Sequence, residues 1–231
     1  MTTTARSAPA RARLGPVGTV VDQTVGAYQR GYRADESFSV AAVARLRRGV
    51  GKPPEELPDL WGLTGLDAIF QSAAIRDRDR ERAADAAHVA ITLWALHQQS
   101  NRQTGMHTTN GRDLGEAVRR LMPPGDLDEP ILRRFVQAGA AASPVALTGR
   151  LRDLVVLLKR EEIALDYGVL ADQIFQWHEP GGPSRVRRSW GRSFHAYRAR
   201  TTTDPATTST SPTTPLGAGG STDSETDKDL M

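Results

Sequence analysis

Leu147, Leu151, Leu154 and Leu158 recur at steps of four, three and four residues behind a Ser143-Pro144 pair. Steps of three and four return to one face of an α-helix. Serine followed by proline opens such a helix. The hydroxyl caps free backbone N–H groups, and proline is tolerated at the first helical position because its missing N–H would have no partner there. The same grammar runs along most of the chain. Residues 19–32 form a first helical stretch. Ser37 is placed to cap a helix over 38–48 that aligns Val40, Val43 and Leu46 and stops at Gly49. Pro58 opens a short turn carrying Leu60, Trp61 and Leu63, and residues 66–75 continue as helix. The charges of 77–82 alternate in sign, which predicts a solvent-facing stretch. Residues 83–99 form the most apolar helix, with Ala87, Ile91, Trp94 and Ala95 on a buried stripe. Trp61 and Trp94 are the expected buried anchors of this half.

The second half repeats the pattern. Residues 113–121 align Leu114, Val118 and Leu121, and residues 128–138 align Ile131, Leu132, Phe135 and Val136. The helix after Ser143 runs to Lys159. Residues 167–177 bury Leu170, Ile174 and Trp177, Gly181-Gly182-Pro183 breaks the run, and a last helix spans 184–198. No segment sustains the period-two alternation of a strand between hairpin turns, so the expectation is all-α. We expect a helical bundle of two packed lobes, 19–122 and 123–200, between disordered tails at 1–18 and 201–231. The tails are rich in Thr, Ala, Ser, Pro and Gly and cannot bury enough surface to offset ordering entropy.

Several function classes fall away at this level. The chain has no cysteine, so it holds no disulfide framework and no thiolate metal site, which fits a cytoplasmic location. No apolar run approaches the ~18 residues of a membrane span, so no membrane partner is expected. The first sixteen residues lack the apolar core of a signal peptide. His88, His97, His107, His178 and His195 make no ligand pair at helical spacing, and neither a metal nor another cofactor is expected. His88 reads as a surface partner of Asp85, and His97 as a locally bonded residue beside Gln98. Gly49-Val50-Gly51-Lys52 brushes a phosphate loop but lacks its length and the following Ser or Thr. No nucleophile elbow is present, and the Glu55-Glu56 and Glu161-Glu162 pairs are ordinary solvated charge. An enzyme is not indicated.

What remains is basic. The chain carries +3 overall, but residues 201–231 carry −4, leaving +7 on residues 1–200. Of its 30 cations only Lys52, Lys159 and Lys228 are lysines, and a guanidinium fork suits phosphate better than an ammonium does. Arg45, Arg47, Arg48 and Lys52 gather at the end of one helix. Arg112, Arg119 and Arg120 flank the next half's apolar stripe, with Arg102 and His107 in the loop before it. Arg133 and Arg134 follow. The stretch 184–200 holds Arg185, Arg187, Arg188, Arg192, Arg198 and Arg200 without one acid. Clusters of this kind point to a polyanion. No helix-turn-helix, zinc finger or RNA-recognition motif accompanies them, so phosphate-tracking rather than base-reading is expected. The residues nominated for nucleic-acid contact are Arg45, Arg47, Arg48, Lys52, Arg102, Arg112, Arg119, Arg120, Arg133, Arg134, Arg187, Arg188 and Arg192.

Three runs carry a family resemblance. They are Ala44-Arg45-Leu46-Arg47-Arg48-Gly49-Val50-Gly51-Lys52-Pro53-Pro54, then Leu93-Trp94-Ala95-Leu96-His97-Gln98-Gln99-Ser100, then Met106-His107 with Leu114-Gly115-Glu116-Ala117-Val118-Arg119. Together they resemble the CasB family, small subunits of the type I-E CRISPR effector complex, Cascade. The similarity continues through 147–159 and 170–177 and covers about residues 19–198, omitting the tails and the charged insert at 77–82. The resemblance implies an all-helical, non-catalytic subunit of an antiviral defence complex. Two copies of such a subunit lie head to tail between the crRNA-bearing backbone subunits and the large subunit, helping to hold target and displaced DNA strands in the R-loop. By position, Arg47 and Arg48 match the family's basic pair and Arg119 a cation after its Leu-Gly-x-Ala turn. The other arginines are nominated from charge clustering alone. Two alternatives stay open: a stand-alone helical nucleic-acid-binding protein, marked by two-fold related half-sites, and a helical enzyme, marked by a pocket with two strongly perturbed titrating groups.

Overall fold

A computed structural model describes residues 13–202. Among them lie nine α-helices: α1 (Pro16–Arg33), α2 (Ser37–Leu46), α3 (Leu66–Gln71), α4 (Arg80–Gln98), α5 (Leu114–Arg120), α6 (Glu129–Gly139), α7 (Pro144–Arg160), α8 (Tyr167–Trp177) and α9 (Gly182–Thr202). Short 3₁₀ turns fill Arg47–Gly49, Pro54–Glu56, Pro58–Leu63 and Asp77–Asp79. The described residues contain no strand. A single parallel bridge joins His107 to Leu165. The all-α expectation holds. Of the tails expected at 1–18 and 201–231, residues 1–12 and 203–231 lie outside the described residues, whereas Pro16, Val17 and Gly18 belong to α1 and Thr201 and Thr202 to α9.

Side-chain caps account for several starts, and Ser143 is the one of them read from the sequence. Asp113, Asp128, Ser143 and Asp166 each accept a backbone N–H three residues on, at 3.2, 2.9, 3.2 and 3.1 Å. Behind Ser143, Leu147, Leu151, Leu154 and Leu158 are all buried. Each such leucine contributes about 1.5–3 kcal/mol relative to an exposed one. α1 is capped differently. Gly15 and Gly18 donate their N–H groups to the Asp172 carboxylate, both at 2.7 Å, from the far end of the sequence. A Cβ on Gly18 would stand 2.5 Å from the Gly168 carbonyl oxygen, so glycine is what lets α1 meet α8 backbone to backbone.

α4 is the central helix. Its burial extends right round, from Ala83 and Ala87 through Ile91 to Trp94, as expected of a helix with neighbours on every side. α1, α2, α7 and α8 all pack on it, while α5 lies along α9. A Cβ on Gly115 would stand 2.0 Å from the Trp190 carbonyl oxygen. Packing partners therefore cross the boundary expected at 122/123: α1 rests on α8, and α4 on α7 and α8. One continuous apolar core serves both halves.

Several local expectations are corrected. Trp94 is fully buried, but Trp61 is 50% exposed. The reason is the 3₁₀ period. In Pro58–Leu63 three residues make a turn, so Leu60 and Leu63 both face the core and Trp61 swings outward. Ser37 is the first residue of α2 rather than its cap. Glu36 occupies the cap position, and its side chain makes no capping bond to the helix backbone. Gly49 is not needed for its backbone angle but for space, since a Cβ would meet Leu60 and Thr92 at 2.8 and 2.9 Å. Helix α3 ends at Gln71 instead of reaching 75. The stretch 77–82 is not wholly solvated, because Asp79 is buried between Arg76 and Arg82. On α6, Phe135 packs on Trp190 and Phe194 while Val136 faces out.

Candidate nucleic-acid interface

The structure sorts the thirteen nominated cations by what already holds them. At the end of α2 the chain tightens into the turn at Arg47–Gly49. Gly51 then takes a left-handed conformation at φ 78°, which throws Lys52 outward. Arg45, Arg47, Arg48 and Lys52 are all exposed. Arg45 donates to the Asp59 carbonyl at 2.5 Å and stands 3.9 Å from its carboxylate, and Arg48 stands 3.5 Å from the same carboxylate. The side chains of Arg47 and Lys52 have no hydrogen-bond or carboxylate partner among the described residues. The positive character continues onto α7. Burial, and then the charge of Arg47, push the Lys159 ammonium below its ordinary pKa.

A second group faces outward on α9. Val186, Trp190 and Phe194 recur every four residues and are buried. Arg188 and Arg192 fall two positions away from them, about 200° round a helix at 100° per residue, and are exposed without a partner among the described residues. Arg133 on α6 is likewise exposed and unpaired, and Arg134 reaches only the Pro130 carbonyl at 3.4 Å. Arg187 spends its guanidinium on the Gly139 carbonyl at 3.1 Å and the Ser184 hydroxyl at 3.0 Å, tying α9 to α6.

The remaining nominees are built into the fold. Arg119 is 1% exposed. It donates to the Met122 and Pro123 carbonyls at 3.4 and 3.1 Å and lies 6.0 Å from the Phe194 ring centroid, holding the end of α5 against α9. That burial corrects its nomination as a surface contact. Arg112 is half-buried, donating to the Ala164 carbonyl at 3.0 Å, and burial together with the nearby Arg120 lowers its pKa. Arg120 pairs with Glu116 at 3.0 Å and covers the Tyr197 ring. Arg102 pairs with Asp35 and covers the Tyr32 ring at 5.0 Å.

One basic cluster escaped the sequence reading. Arg76, Arg78, Arg82 and Arg185 line a cleft of about 360 Å³ with Asp79, Glu179 and Pro180. Asp79 binds Arg76 and Arg82, Glu179 binds Arg185 at 2.6 Å, and Arg78 is left over. The two halves of this cleft lie about a hundred residues apart in the chain, so no local charge count joins them.

The polar residues near the third family motif are structural. His97 is fully buried with Nδ1 2.9 Å from the Tyr167 hydroxyl, a long-range contact rather than the expected local one. Burial lowers its pKa to about 3. His88 is buried, not a surface partner of Asp85: its Nε2 lies 3.1 Å from the Lys52 carbonyl, and burial lowers its pKa. Among the described residues one group has metal-type donors close together: Asp22, His107 and Asp166, within 4.8 Å. Hydrogen bonds account for all three. His107 Nδ1 accepts the Tyr167 N–H at 3.2 Å, which leaves Nε2–H to donate to Asp22 at 2.9 Å. Asp166 accepts the N–H groups of Gly111 and Val169.

The cleft that best matches an enzyme's pocket is about 300 Å³, lined by Lys52, Glu55, Asp85, His88, Val145, Thr148 and His178 among others. Burial raises the Asp85 pKa and lowers that of His88. Both shifts favour neutral groups. The Thr148 hydroxyl is spent on the Pro144 carbonyl at 3.0 Å, so no activated nucleophile stands among these lining residues. No helix of the described residues is long and apolar enough to cross a membrane.

Comparison with known proteins places this architecture. A family model described as CRISPR-associated protein Cse2 matches residues 42–195. The crystal structure of CasB from Thermobifida fusca is 50% identical with a TM-score of 0.72, over 79% of this chain and 99% of that one. CasB from M. ruber is 25% identical with a TM-score of 0.57, over 79% of this chain and 97% of that one. A chain of a CRISPR RNA-guided surveillance complex is 20% identical with a TM-score of 0.60, over 80% and 97%, a likeness of fold. No curated protein matches.

Proposed function

The chain belongs to the CRISPR-associated Cse2 family, and from that membership we propose that it is a non-catalytic small subunit of a type I-E RNA-guided surveillance complex, Cascade. Its exposed arginines hold nucleic acid and stabilise the R-loop during target recognition. The partners are the crRNA, the target DNA, the large and backbone subunits, and a second copy of the chain.

The observation that carries the nucleic-acid part is the division among the arginines. The side chains of Arg47, Lys52, Arg133, Arg188 and Arg192 are exposed with no hydrogen-bond or carboxylate partner among the described residues. Unpaired guanidinium groups at the surface are suited to phosphate oxygens, whose neutralisation releases counterions and drives binding without reading sequence. This favours a backbone-holding role over a regulator that reads bases. It also gives an enzyme no support, since of these five cations only Lys52 lines the cleft of Asp85 and His88.

The test is co-purification. A tagged full-length chain expressed with the other effector subunits and a guide transcript should elute in one multi-subunit particle containing that RNA. Elution as a free protein, with the particle assembling normally without it, would overturn the assignment.

A further inference from the structure

Trp61 is the one tryptophan of four that faces solvent: it is 50% exposed, against 0, 5 and 2% for Trp94, Trp177 and Trp190. Its polar end is occupied, because Nε1–H donates to the Pro54 carbonyl at 2.9 Å. That bond fixes the indole against the Pro53-Pro54 turn and leaves ring surface open to solvent. The same 3₁₀ segment carries Asp59, which gathers Arg45 and Arg48. An exposed aromatic ring thus lies on the same short segment as the carboxylate that gathers two guanidinium groups.

The charge here is informative. Residues 45–61 hold Arg45, Arg47, Arg48 and Lys52 against Glu55, Glu56 and Asp59, a net of only +1. Lys52 and Glu55 both line the cleft beside Asp85 and His88. Asp59 cannot neutralise two guanidinium groups. Even so, phosphate attraction alone is modest here, and a duplex presents only its phosphates and grooves to such a surface. Unpaired nucleotides present more. Their base faces stack on an aromatic ring in any sequence while nearby cations take the phosphates.

We propose that Trp61, on the segment whose Asp59 gathers Arg45 and Arg48, is a stacking platform that makes this surface select single-stranded over double-stranded nucleic acid. The proposal rests on the nucleic-acid reading above and narrows it to unpaired strands at one named ring.

The full-length chain is titrated with an unstructured oligodeoxythymidine and with a blunt duplex of equal phosphate number, reading intrinsic fluorescence and affinity. Oligodeoxythymidine should quench Trp61, because the other three rings are buried, and the duplex should not. W61A should weaken oligodeoxythymidine binding by about tenfold, within the range known for loss of one stacked base. W61F should stay within about threefold of the parent, and duplex affinity should not change. The salt slope for oligodeoxythymidine should also stay unchanged in W61A, because no phosphate contact is removed. Unchanged single-strand affinity in W61A, with salt-dependent binding intact, overturns the stacking platform and leaves the broader reading standing. Absence of any oligonucleotide binding by the parent at low salt removes both. A Trp61 emission shift that follows protein concentration, without an oligonucleotide, marks a protein interface and also overturns the proposal.

Discussion

The cationic turn at residues 45–52 and the polar run at 96–107 both close an apolar helix with hydrogen-bonding side chains, yet they end in opposite environments. In the second, partners are supplied from within. Gln98 accepts the Met106 N–H at 2.8 Å and donates to the Asn101 and Thr104 carbonyls. Gln29 clamps His107 by both backbone groups, at 2.7 and 3.0 Å. His97 and His107 both meet Tyr167. Most buried polar groups are paired, and in this run His97 Nε2 is the buried side-chain atom left without a hydrogen-bond partner among the described residues. In the first, only Arg45 and Arg48 of the four cations find a side-chain partner among the described residues, and both turn to Asp59. A polar run that satisfies itself becomes structure, and one that leaves its donors outward becomes a surface for something else.

The comparison breaks most visibly at its two tryptophans. Trp94 sits in α4, stacked on Tyr28 with ring centroids 6.3 Å apart and fully buried. Trp94→Ala should cost about 3–5 kcal/mol, the loss usual for a large core truncation. Trp61→Ala should stay within about 0.5 kcal/mol, as exposed substitutions do. Urea unfolding of both variants checks this. A large loss at Trp61 would make it a core residue and weaken the stacking proposal with it.

A smaller effect sharpens the second region. His97 has its pKa lowered to about 3 by burial, while an unfolded histidine titrates near its ordinary 6.5. Below pH 6.5 the unfolded chain takes up a proton that the folded chain refuses. Its stabilising contribution is therefore complete above that pH and falls as pH drops toward 3, by at most about 1.4 kcal/mol per unit. In H97Q that share of the pH dependence should vanish between pH 6.5 and 4.5, a window chosen above most carboxylate titration. Parallel stability curves for parent and variant would mean that His97 is protonated in the fold.

How much of this was legible depends on the period and reach of each signal. The α7 leucines and the Ser143 cap were readable because helix periodicity and capping are local. Trp61 was misplaced because a 3₁₀ segment turns every three residues, and a single Pro58 does not announce that. Asp172 capping α1 had no sequence signal, since its partners Gly15 and Gly18 lie more than 150 residues away. Arg119 looked like its neighbours because a guanidinium's carbonyl partners are invisible in a sequence. The cleft of Arg76, Arg78, Arg82 and Arg185 was missed because it forms only when the start of α4 meets the turn before α9. The position of a charge along the chain was readable, and the identity of its partner was not.

The smallest effect on stability tests the first region most directly. Arg47 and Arg48 follow the C-terminus of α2, where a cation favours the helix dipole by about 0.3–1 kcal/mol. Against that, Arg47 faces Lys159, whose pKa is lowered by burial and then by the Arg47 charge. Removing Arg47 relieves a like-charge contact. Removing Arg48 costs a screened pair at 3.5 Å, with its side chain 62% exposed. Such pairs contribute less than about 1 kcal/mol. The contributions oppose, so Arg47→Ala with Arg48→Ala should shift stability by less than about 1 kcal/mol. Binding should respond more. If each arginine neutralises one phosphate, the double variant's log–log salt slope on duplex DNA should become shallower by about 1.8, and R-loop formation by the assembled complex should weaken. Helix-capping arginines would instead lower the melting temperature slightly and leave slope and R-loop untouched. That second pattern would move the phosphate contacts to Arg133, Arg188 and Arg192, the outward cations on α6 and α9.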